Sequence, residues 1–146
     1  MEKGIEQNLK SMVNDAKEFP ELRQEFEDHM KITKNHAEMT ENRIIELDGE
    51  VADTKKLMSQ FTVLVQGMTM KMMSYKNLKN VSMAYATEHT EIAMYRQIQI
   101  IAQKIGDMDT VDLCEDILSD EIDMSRILEK TMPDILEKEM LRSLSH

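Results

Sequence analysis

Tyr85 to Gly106 reads YATEHTEIAMYRQIQIIAQKIG, a long helical pattern in which carboxylates stand where a bundle helix needs apolar side chains. At helical spacing the stripe comprises Val81, Tyr85, Glu88, Ile92, Tyr95, Ile98, Ala102 and Ile105, with Glu91 beside Glu88 one turn on. Glu88 is therefore expected to point inward. An ionised carboxylate in a helix bundle is costly unless it is paired, protonated or bound to a metal, so the rest of the chain has to supply its partners.

The chain has 146 residues, enough for one domain with a sizeable core, and we read residues 1–146 as a single unit. Only 4 Gly, 2 Pro and 4% aromatic residues leave few tight turns and little strand-forming material, which predicts an all-α chain. A net charge of -10 disfavours binding to nucleic acid or to an anionic membrane surface. The lone cysteine, Cys114, permits no intrachain disulfide, and no run reaches membrane-spanning length. The polar start MEKGIEQNLK has no apolar signal-peptide core, so a cytoplasmic protein is expected.

Periodicity predicts main helices over about 2–17, 20–49, 77–105 and 109–131, with an additional helix between 53 and 74. Phe19-Pro20-Glu21 ends the first helix and opens the second, whose stripe is Leu22, Phe26, Met30, Thr33, Ala37, Thr40, Ile44 and Leu47, with His29 and His36 along its edge. From Leu57 to Met73 the apolar residues are dense rather than striped, which suits a largely buried helix or a subunit contact; a symmetric homodimer is the simplest closed solution. Gly106 is expected to cap the third main helix, and Asp109 or Thr110 to open the fourth. Val111, Cys114, Leu118, Glu121, Ser125, Leu128 and Met132 then share one line, again with a carboxylate in it, and Pro133 should kink or break the pattern.

Ionisable groups thus fall on or beside the inward faces of three helices: His29 and His36, Glu88 and Glu91, and Glu121. Four-helix bundles that hold two iron or manganese ions use inward glutamates on two helices and a Glu-x-x-His pair on each of the other two. Here Phe26, Thr33 and Ala86 stand three residues before His29, His36 and His89, so no such pair exists. Each group also has a plainer reading: Glu91 as a part-exposed edge residue, and the two histidines as edge groups bonded to neighbouring acids such as Glu25. The methionines around Met68 to Met73 could bind monovalent copper, but the chain's 15 methionines are scattered and suit core filling better.

Glu88-His89-Thr90-Glu91-Ile92-Ala93-Met94-Tyr95 resembles the third-helix motif Glu-His-Tyr-Glu-Ile-Ala-x-Tyr of the bacterial stress-associated YciE/YciF type of ferritin-like proteins. Leu113 to Glu121 is similar to that family's fourth-helix pattern, His29 to His36 to its second-helix pattern, and Glu2-Lys3 to its first. The resemblance implies a ferritin-like four-helix bundle, a role in stress physiology, and metal ligands at Glu88, Glu121, Glu91, His36, His29 and Glu2. Lys31 and Ile32 stand where the family has two glutamates, and Ile122 and Ser125 replace its usual Lys and Asp. A ligand set reduced in this way implies at most one weakly held divalent ion, iron or manganese, and no oxidase or peroxidase activity. The rival expectation is a non-catalytic helical interaction module whose former metal site is now a polar network.

Overall fold

The computed structural model describes residues 2–49 and 75–145, with side chains from Leu9 onward. Four α-helices account for nearly all of it: α1, Glu2–Asp15; α2, Pro20–Glu46; α3, Lys76–Ile105; and α4, Met108–Ser143. Among the described residues there is no strand, and the protein is an all-α bundle. The helix expected between 53 and 74 lies outside the described residues.

Helix ends follow from local chemistry at some junctions and from tertiary contacts at others. A single 3-10 turn, Ala16–Glu18, leads into Pro20, whose fixed φ and missing N–H suit the first turn of α2. At the end of α3, Gly106 adopts φ 78°, the left-handed conformation that glycine enters without steric cost. The residue that opens α4 is Asp107 rather than Asp109 or Thr110: its carboxylate accepts from the Thr110 N–H at 3.1 Å and from the Thr110 hydroxyl at 2.6 Å. No local side chain caps the start of α3; instead Glu139 of α4 accepts from the Asn77 N–H at 2.8 Å and the Leu78 N–H at 3.3 Å. Pro133 does not break α4, which runs on to Ser143. Pro133 and Glu129, whose carbonyl loses its partner, are both exposed, while Ile135 is buried in the core and Glu139 anchors α3, so packing holds the final turns on the bundle.

Cross-helix pairs set the topology. His29 meets Glu88 and Thr40 meets Tyr95, so residue numbers rise together along α2 and α3 and the two helices are parallel. His36 meets Glu121 and Arg43 meets Thr110, so α4 runs antiparallel to α2. A parallel α2–α3 pair, with α2 27 residues and therefore about 40 Å long, requires its connection to return the length of the bundle. One such crossover is the connectivity of ferritin-like folds.

With 14 residues, α1 reaches about half as far as α2. It packs where α2 and α3 begin and α4 ends: Asp15 accepts from Asn80 at 3.0 Å, and Glu18 pairs with Arg142. An apolar cluster of Leu9, Met12, Phe19, Leu22, Phe26, Val81, Leu128 and Ile135, among others, fills this half, and Ala37, Ala102, Val111, Cys114, Ile117 and Leu118 are buried in the other. Toward the α3–α4 turn, Arg43 binds Asp107 and Thr110 and fixes the turn against α2.

The buried face of α3 is rotated from the expected stripe. Val81, Ala84, Glu88, Glu91, Gln99 and Ala102 are buried, Tyr85, Ile92 and Tyr95 are half-buried, and Ile98 and Ile105 are exposed. The C-terminal part of α3 carries isoleucine on several sides, and its packing between α2 and α4 chooses a face on which Glu91 is central. On α2, likewise, His29 and His36 are not edge residues but lie fully within the buried face, whereas Leu47 is exposed.

Candidate metal centre

Midway along the bundle, immediately beyond Phe26, Ala84 and Met124, the packed apolar face gives way to ionisable side chains. His29 of α2, Glu88 of α3 and Glu121 of α4 are only 5%, 3% and 2% exposed. His29 Nε2 lies 3.2 Å from Glu88 Oε1 and 3.9 Å from Glu121 Oε2, and each of the three residues offers a donor atom within 4.8 Å of the other two. A single ion with ligands at about 2.1 Å would close that spacing with small side-chain movements. Glu88 and Glu121 do face each other. Each keeps one buried carboxylate oxygen, Oε2, that no N–H or hydroxyl donor reaches, so on that side the two carboxyls bond only to each other, when one is protonated; the Thr33 hydroxyl, one turn beyond His29 on α2, is also without a partner. Buried polar atoms normally find partners, so unpartnered oxygens in an imidazole–carboxylate cluster fit a bound cation.

Electrostatics point the same way. Burial raises the Glu88 carboxyl to about 7; contact with Glu121 opposes this rise and the nearby charge of Glu91 adds to it. Glu91 is raised by burial and by the like charge of Glu121, and Glu121 is raised chiefly by burial despite its bond to His36. Burial lowers the His29 imidazole against the pull of Glu121 and Glu91, which favours the neutral form, the one able to ligate. Three carboxyls compressed in this way carry more acid than the site can ionise unassisted. A divalent cation would relieve that burden by displacing protons.

His36 stands one layer further along α2. Its Nδ1 lies 2.9 Å from Glu121 Oε1 and its Nε2 2.9 Å from Asp120 Oδ2, so the ring bridges two consecutive α4 carboxylates. Burial would depress His36, but its bonds to Glu121 and Asp120 outweigh this and raise it. Beyond it, the Tyr95 hydroxyl lies 3.3 Å from Thr40 Oγ1, and burial pushes the phenol up to about 12.

Of the residues expected at the site, His29, Glu88 and Glu121 form the cluster, His36 braces Glu121, and Glu91 is close enough to add its charge. Glu2 belongs to α1, but its side chain is not among those described. Lys31 does not intrude: it is exposed and bonds to Asp28 at 2.8 Å on the outer face of α2. Sequence reading missed Asp120, whose exposed helical phase hides the contact that reaches in through His36, and gave Thr33 no role beyond its place in the α2 stripe.

A bundle of this connectivity with an imidazole and carboxylates buried between its helices defines a class of helical protein with an internal polar centre. The chain belongs to the family described as a domain of unknown function, DUF892, whose model matches residues 1–141. It is also similar to the crystal structure of a protein from Xanthomonas campestris pv. campestris, with a TM-score of 0.80 and 28% identity over 99% of this chain and 88% of that one.

Proposed function

We propose that this is a small ferritin-like protein of the YciE/YciF type that binds one divalent cation, iron or manganese, through His29, Glu88 and Glu121. The unpartnered, buried Oε2 atoms of Glu88 and Glu121 beside His29 Nε2 carry this reading. Glu91 adds negative charge, and His36 orients Glu121 in the way that outer hydrogen bonds orient metal ligands. When bound, the ion supplies positive charge that keeps the three carboxyls ionised. The chain's own residues bind and orient it within a layer shielded from solvent. Redox catalysis is not part of the proposal. A role in stress physiology follows the family resemblance, and the expectation of a cytoplasmic setting rests on the lone cysteine and the polar start; no helix among the described residues is long and apolar enough to cross a membrane.

The second reading, an interaction module with a metal-free polar network, is favoured by one observation. The His29–Glu88 and His36–Glu121 pairs already stand 3.2 Å and 2.9 Å apart, close enough to satisfy each other without an ion. Self-association as a symmetric dimer is compatible with both readings. Its original motive, Leu57 to Met73, lies outside the described residues, but the exposed Ile98, Ile101 and Ile105 fall along one side of α3.

The test is a manganous titration followed by electron paramagnetic resonance on wild type and Glu88→Ala. Weak binding of one ion per wild-type chain, lost in the variant, supports the proposal. Two tightly held ions would show a complete dinuclear site, and null traces from both proteins would favour the interaction module. Light scattering over micromolar concentrations reports the dimer separately.

A further inference from the structure

The ligand cluster is closed on the side of His29 by the apolar core, where Phe26 and the α1 side chains are packed. Toward His36, seven residues or about 10 Å further along α2, the interior stays buried, with Ala37, Ile117 and Leu118. There a continuous polar connection leads outward. The Asp120 side chain is 48% exposed and lies 2.9 Å from His36 Nε2, while His36 Nδ1 lies 2.9 Å from Glu121, whose own side chain is 2% exposed. One imidazole thus spans from a surface carboxylate to a buried one that still has an unpartnered oxygen.

We infer that Asp120 and His36 form the entry and exit route for the cation, Asp120 receiving the ion at the surface and His36 releasing one carboxylate to let it reach Glu121. The inference rests on the metal-binding reading above and adds the path to it. Asp120 is a way station rather than a ligand of the bound ion: it lowers the barrier to passage in both directions. A carboxylate at the surface end attracts cations, and Asp120 is the exposed group already bonded to the ring that would have to turn.

Stopped-flow mixing with Co²⁺, read by its visible absorption, measures association, and chelator chase measures dissociation. For Asp120→Asn both rates are expected to fall in parallel by about threefold or more, with the dissociation constant within about twofold of wild type. Asp120→Glu, which keeps the charge, should restore most of the loss. Asp116→Asn makes the same charge change one turn away at an exposed position and should leave both rates near wild type. Unchanged rates in Asp120→Asn would overturn the route, as would an equal slowing in Asp116→Asn. Weakened affinity through faster dissociation alone would make Asp120 merely a brace for His36 and would also overturn it. If wild type binds no Co²⁺, the metal-binding reading itself fails, an outcome distinct from binding by an unaffected route.

Discussion

Two neighbouring layers of the same bundle are built on opposite principles. Phe26, Val81 and Leu128 pack in an apolar cluster, where burial removes hydrocarbon from water. One to two turns along, the same three helices bury His29, Glu88 and Glu121, which costs free energy unless the charges are compensated. The contrast teaches that the first layer is where the fold gains stability and the second is where it gives some up. A polar layer kept at that cost, with unpartnered oxygens inside it, supports the proposed cation site.

The largest test of this contrast is Phe26→Ala, which opens a cavity in the apolar layer and should destabilise the protein by about 3–5 kcal/mol in urea unfolding. Glu88→Gln should do the reverse in metal-free protein. Glu88 binds its proton more tightly in the folded chain, so its contribution to metal-free stability is fully present below about pH 4.5, the ordinary glutamate value, and is lost as pH rises through about 7. Glu88→Gln removes that decline. Because the shift from 4.5 to about 7 corresponds to roughly 3 kcal/mol, we expect a gain of about 2–3 kcal/mol at pH 8 and little change at pH 4, measured by chelator-treated urea melts at the two pH values. A loss of stability at pH 8 would mean that the polar layer is not a burden.

Smaller effects mark the limits of the two layers. Gly106→Ala adds a Cβ that meets nothing within 4 Å, so only its positive φ is strained; about 1 kcal/mol of destabilisation is expected with no change in metal affinity. Lys31→Glu should change manganese affinity by less than about twofold, because Lys31 bonds to Asp28 at the surface and exposed charges are screened. A large improvement would place position 31 in the site after all.

The all-α class, the α2 start at Pro20, the α3 end at Gly106 and the stripe of α4 were legible because each rests on local chemistry or on a clean helical period. Glu88 and Glu121 were legible for the same reason, as carboxylates interrupting apolar lines. Local sequence did not reveal the inward placement of His29, His36 and Glu91, the continuation of α4 through Pro133, the capping of α3 by Glu139, or the contact of Asp120 with His36. α3 offers apolar side chains in several directions, so only contact with α2 and α4 selects its buried face. A proline at an exposed position is tolerated when buried residues beyond it hold the helix on the bundle, and a carboxylate on another helix can satisfy N–H groups that no neighbouring residue reaches. The sequence by itself determined which segments are helical and that two carboxylates must go inside. The tertiary structure decided that they meet each other and His29, because their distance depends on the relative rotation of three helices that are far apart along the chain.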